Sequence, residues 1–170
     1  MYYLLLVLRL IHVVGGVIWV GFGIFLPSIL APVLAGLGAD GGKVMAGLQR
    51  RGLMTMLPLV ALATILSGGT LFWLVSGGRP EEFVARPMGM ALATGALFAL
   101  VAFLLGMLIA RPAAMQIGAM MQRQASATPE ERERIQAPVA RLQKRVVAVG
   151  RSTTALLLLA AAAMAVARYL

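Results

Sequence analysis

Four long apolar stretches run along the chain between short polar connections, at roughly residues 2–30, 53–75, 88–110 and 146–167. Each is near the ~20 residues that a helix needs to cross the hydrocarbon core of a bilayer. No water inside that core serves the backbone, so each stretch is expected to be a helix bonded within itself. The pattern predicts an all-α fold. Four transmembrane helices form a bundle, and residues 1–170 make one integral membrane domain with no room for a soluble one.

The connections refine this outline. Pro27 and Pro32 oppose helix continuation and are expected to close the first stretch. A turn-rich loop with Gly36, Gly38, Asp40, Gly41 and Gly42 follows, then a short basic piece ending Gln49-Arg50-Arg51. Pro58 falls near the first turn of the second stretch, where a missing N–H costs little. Ser76 to Pro87 is a short loop, and the third stretch ends at Arg111-Pro112. Residues 112–145 are polar, with Met115 to Gln124 extending the third helix. Thr128-Pro129-Glu130-Glu131 is a helix start, with Thr as N-cap, Pro first and Glu third. That helix runs on into the fourth stretch, bent or broken at Pro138. The two extensions predict a helical hairpin projecting from one side.

Composition agrees with a membrane protein, since 61% of the 170 residues are hydrophobic, against about 45–50% in soluble domains. With no cysteine, disulfides, thiolate metal sites and Cys nucleophiles are excluded. The net charge of +9 flanks apolar spans without interleaved aromatics. It therefore points to anionic lipid headgroups and topology, with no nucleic acid as partner. Lys43, Arg50, Arg51, Arg111, Arg123, Arg132, Arg134, Arg141, Lys144 and Arg145 fall on one side of the spans, and Arg79, Arg86 and Arg168 on the other. The positive-inside rule then puts the hairpin in the cytoplasm and both termini outside. The first stretch lacks a charged leading region and a cleavage site, so it is expected to be a retained span and not a signal peptide.

Candidate chemistry concentrates in the first stretch. It holds the only histidine, His12, with Arg9 one turn before it and Gly15, Gly16, Trp19, Gly21 and Gly23 after it. At 3.6 residues per turn, Arg9, His12, Gly16, Trp19 and Gly23 share one stripe. Ionisable groups in a span are a functional-site hypothesis by default, and glycines let another helix come close. An imidazole can ligate haem iron or copper, or relay protons. His12 lies about 14 Å deep at the helical rise, and the residues at matching depth on the other spans include neither His nor Met. A structural role is favoured, with Ser67 as the expected hydrogen-bond partner. Arg9 has three readings: its guanidinium snorkels to the interface, pairs with Glu81 or Glu82, or holds an anionic headgroup or cofactor carboxylate. Met54/Met56 and Met88/Met90 begin their spans on opposite sides and cannot form one copper site. Every carboxylate lies in a loop, which disfavours an ion-coupled transporter. No Ser-His-Asp set, phosphate loop or HExxH motif is present, and the chain is expected not to be an enzyme.

LRLIHVVGGVIWVGFGIFLPSILAPVL, with LATILSGGTLFW in the second stretch and LLGMLIARPAAMQIGAMM closing the third, resembles a family of small four-helix bacterial membrane proteins of unknown function. That family is distantly similar to copper-resistance protein D-like membrane proteins. His12, Trp19 and Gly21 match its His-then-Trp-x-Gly pattern. The resemblance implies a four-helix protein of the bacterial inner membrane. Relatives with haem or copper roles usually carry further histidines or charged ligands in later spans, which this sequence lacks.

Three functional expectations follow. The first is a non-catalytic accessory or structural subunit of a larger membrane assembly, respiratory or photosynthetic for instance. It uses surplus small faces, among them Gly15, Gly16, Gly21 and Gly23 and the Ala160–Ala163 run, to meet other integral membrane subunits. Arg132, Arg134, Arg141, Lys144 and Arg145 would meet anionic lipid or an acidic partner surface. The second is a haem or copper protein using His12, with Arg9 nearby, although no cofactor is predicted by the first reading. The third is a transporter of a small solute.

Overall fold

The computed structural model describes residues 2–37 and 39–170, and it is all-helical among them. Helix α1 runs Tyr2–Gly36, α2 Ala39–Arg50, α3 Leu53–Val75 and the short α4 Pro80–Val84. Helix α5 starts with Pro87–Leu105 and continues through Gly106–Ala110 to Arg111–Ser126. Helix α6 spans Pro129–Val166 and closes with a 3₁₀ turn, Ala167–Tyr169. Helices α1, α3, α5 and α6 are each long and apolar enough to cross a membrane.

These four pack in a ring: α3 on α1, α1 on α6, α6 on α5, and α5 back on α3. Close approach holds it together, because apolar side chains gain little over lipid tails. A Cβ added at Gly95 of α5 would stand 3.0 Å from both the Ala160 carbonyl and the Met164 side chain of α6. Ala102, Ala160 and Ala167 are almost fully buried along the same contact. The alanine run of the fourth stretch is thus divided: Ala160 faces α5, while Ala161 and Ala162 are exposed.

Pro27 and Pro32 do not close the first helix as the sequence reading has it, and the third helix runs past Pro112 into its extension. α1 passes Pro27 through a π turn at Leu26–Leu30 and reaches Gly36. α5 passes Pro112 after a π turn at Gly106–Ala110. The wider i→i+5 turn takes up the register that a missing N–H and a clashing ring would otherwise break. α6 is unbroken at Pro138. There the orphaned carbonyl belongs to exposed Arg134, beyond the apolar stretch, where water can serve it.

The expected loop after the first stretch is also corrected. Asp40, Gly41 and Gly42 open helix α2, whereas Gly38 lies outside the described residues. Gly41 lets α2 start against the Leu34 carbonyl of α1, a place where any Cβ would collide. Gly52, at φ 85°, then turns the chain into α3 in a conformation that favours glycine. The expected start of the last helix is present as a full capping box: the Thr128 hydroxyl accepts from the Glu131 N–H at 3.4 Å, and the Glu131 carboxylate accepts from the Thr128 N–H at 3.1 Å.

Candidate functional site

The α1 stripe singled out in the sequence meets three different helices. Near the end that carries the chain termini, His12 Nδ1 lies 2.8 Å from the Thr64 carbonyl oxygen of α3. A carbonyl only accepts, so the ring donates to it through a proton on Nδ1. Ser67, the expected partner, instead donates to the Ala63 carbonyl at 2.6 Å, with the Thr64 carbonyl at 3.1 Å. Helix α3 bonds its own hydroxyls back to its backbone, which leaves a carbonyl as the group that can receive an imidazole N–H.

Glycines make that approach possible. A Cβ at Gly68 would stand 2.6 Å from His12 Cε1, and one at Gly15 would collide with the Thr64 hydroxyl. A Cβ at Gly16 would make only ordinary contact, with Thr64 Cγ2 at 3.9 Å. Arg9 is exposed, and among the described residues it forms no ion pair with Glu81 or Glu82. Glu82 is engaged with Arg79 at 3.4 Å, in an exposed i,i+3 pair.

Further along α1, the Trp19 ring stands edge-on to Phe103 of α5, with centroids 6.3 Å apart at 87°. Gly23 then faces α6, where a Cβ would come within 2.7 Å of buried Leu157. The Thr154 hydroxyl lies 2.5 Å from the Gly23 carbonyl, and Gly150 leaves room for the Pro27 ring, whose Cβ would be 2.9 Å from an added side chain. Gly21 alone of the four glycines between residues 15 and 23 has nothing within 4 Å of its Cβ position. It shares an uncovered face with Val14 and Val17, the latter 69% exposed.

Below Trp19, towards the α5–α6 extension, all four long helices border a cavity of about 270 Å³. Arg111, Thr153 and Trp19 supply the polar side-chain groups of its lining. Sequence reasoning used Arg111 only as a topological charge and passed over Gly150, Thr153 and Thr154. The signal was present as Gly150-Arg151-Ser152-Thr153-Thr154, a small and polar run just inside an apolar stretch.

Among the described residues no group of three or more His, Cys, Asp or Glu side chains could hold a metal ion. The described residues form an all-helical protein with four helices long and apolar enough to cross a membrane, and one histidine pinned between the first two of them. No family model, curated protein or solved structure matches the chain.

Proposed function

We propose that the chain is a non-catalytic subunit of a larger membrane assembly, respiratory or photosynthetic for instance, in a bacterial inner membrane. It would touch its partner through the outer face of α1. The observation that supports this is the division of the α1 glycines: Gly15 and Gly23 serve contacts within the ring, whereas Gly21 lies one turn beyond Val17 on an uncovered face. A glycine on an exposed face lets a second helix come close enough for backbone contact, the main source of affinity in lipid. The charge count favours a cytoplasmic α5–α6 extension. Arg132, Arg134, Arg141, Lys144 and Arg145 are all exposed there, suited to anionic headgroups or an acidic partner surface.

Gly21→Leu tests the reading, because a Cβ there has nothing within 4 Å among the described residues. Extracted gently from native membranes, the wild-type protein should migrate in a larger complex and the variant as an inserted monomer. A wild-type protein recovered only as monomer refutes the proposal.

One observation favours a second reading. An imidazole held through Nδ1 by a carbonyl has the backbone hydrogen bond and fixed orientation common to histidines that bind a metal through Nε2. Haem or copper at His12 is therefore the alternative, and an optical spectrum with metal analysis of the protein purified from its native membrane decides it.

A further inference from the structure

Both π turns of the described chain border the same cavity. Leu26, Pro27 and Leu30 come from one, and Gly106, Met107 and Ala110 from the other. π turns are rare and recur at functional sites. Here each borders, together with α3 and α6, a space lined mostly by aliphatic and aromatic side chains.

Two of its polar atoms lack the kind of bond that other hydroxyls of the spans make. Thr64, Thr70, Thr94, Ser152 and Thr154 each approach the backbone carbonyl four residues earlier. The Thr153 hydroxyl is shielded from solvent and meets no partner among the described residues, and the same holds for Arg111 Nε. Arg111 is the only charged residue of the lining. Its guanidinium can only donate, as can the Trp19 indole N–H. Donors of this kind, one of them a permanent cation among apolar groups, call for a ligand that brings acceptors and negative charge.

We propose that this cavity binds a hydrocarbon chain of an acidic amphiphile, with its phosphate or carboxylate head at Arg111. The apolar lining accommodates the chain, and the volume has room for about nine groups of ~30 Å³, the share of one water in the liquid. Arg111 sits at the end of the cavity nearest the basic α5–α6 extension, so the head would lie at the membrane surface where the other cations gather. The acid can be that of an anionic phospholipid or a free fatty acid, and the two are separable by experiment. This inference does not depend on the assembly role of α1.

The test uses Trp19 as reporter. Trp73, the other tryptophan, is 56% exposed and does not line the cavity, so Trp73→Phe leaves one fluorophore at the site. The protein is reconstituted in phosphatidylcholine vesicles containing a small fraction of lipid brominated on its chain, which quenches indole on contact. Brominated phosphatidylglycerol should quench about fivefold more effectively than brominated phosphatidylcholine, the preference that one arginine supplies for an anionic lipid. If the acid is a fatty acid, brominated stearate shows that preference and phosphatidylglycerol does not.

Arg111→Gln should abolish the preference. Gly106→Leu, which adds a side chain to a lining position with nothing within 4 Å of its Cβ, should reduce quenching to that of bulk lipid. If a variant fails to insert, competition on the Trp73→Phe protein decides: an unbrominated acidic amphiphile must restore fluorescence that unbrominated phosphatidylcholine leaves quenched. Equal quenching by acidic and zwitterionic amphiphiles overturns the proposal. So does quenching of Trp19 by aqueous acrylamide as strong as that of a free indole, which would mean a water-filled cavity.

Discussion

The Thr154 hydroxyl of α6 lies 2.5 Å from the Gly23 carbonyl of α1, and Pro27 explains why that carbonyl is available. In a regular helix the N–H of residue 27 would bond to it, and proline has none. In lipid no water takes that place. The same proton has a second acceptor, the Gly150 carbonyl at 2.9 Å, but the contact across the helices is the shorter. One span thus repairs the backbone of another, and Gly150 lets it come close enough to do so.

Thr154→Val keeps the shape and removes the donor. It should destabilise the protein by about 1 kcal/mol, in the range measured for hydrogen bonds between helices in membranes. Thr154→Ser should stay near wild type. Reversible unfolding in mixed micelles measures both, and a Val variant as stable as wild type would show that the Gly23 carbonyl is served otherwise.

The His12 contact makes a related forecast. Gln carries an N–H donor of similar reach, so His12→Gln should keep α1 on α3, whereas His12→Leu should lose about as much stability as Thr154→Val. Gly68→Ala should cost more than either, since its Cβ would stand 2.6 Å from the imidazole Cε1 and push it off the Thr64 carbonyl. A Soret band or stoichiometric copper lost in His12→Gln would instead assign the ring to a cofactor.

How much of this was legible follows from which groups announce themselves in one dimension. The four apolar lengths and the Thr128 capping box are local patterns, and the helices start and run much as those patterns require. The fate of the prolines was not local. Pro27 ends or continues a helix according to what lies beside the freed carbonyl, and that partner is 131 residues away at Thr154. His12 shows the same limit. Depth-matching pointed to the right turn of α3 but to a hydroxyl, because the competition of each hydroxyl for its own helix backbone was not counted. The cavity was invisible for a similar reason: its borders come from all four spans, and no single stretch carries more than part of them.

Helix α2 offers a test of the extramembrane part. Lys43 donates to the Asp40 carboxylate at 2.7 Å, and both side chains are well exposed. This hydrogen bond, and then the positive charge of the lysine, hold the Asp40 carboxyl below its ordinary value, while the same partner raises the Lys43 ammonium above its own. The contribution of a depressed carboxyl is present above its unfolded value and lost as pH falls through the folded one. That of a raised ammonium is present below its unfolded value and lost as pH rises through the folded one. The pair should therefore support α2 across neutral pH and neither extreme. An NMR titration should find the Asp40 midpoint below the usual carboxylate range, and Lys43→Ala should restore it. An unchanged midpoint in that variant would mean that the pair does not form in solution.

The orientation in the membrane is the prediction on which the cytoplasmic reading of the hairpin depends. Ten lysines and arginines lie in the connections at one end of the spans, from Lys43 to Arg145, and Arg79, Arg86 and Arg168 at the other. The structure adds Arg151, exposed on α6 one turn before Thr154, to the richer end. A positively charged connection resists translocation, so that end should stay in the cytoplasm. The chain has no cysteine of its own, so single cysteines report cleanly. Ser76→Cys, in the connection between α3 and α4, should react with an impermeant maleimide in intact cells. Ala127→Cys, between α5 and α6, should react only after the membrane is opened. The opposite pattern would turn the protein over, place the five cations of the hairpin outside, and leave the anionic inner leaflet without the arginines proposed to meet it.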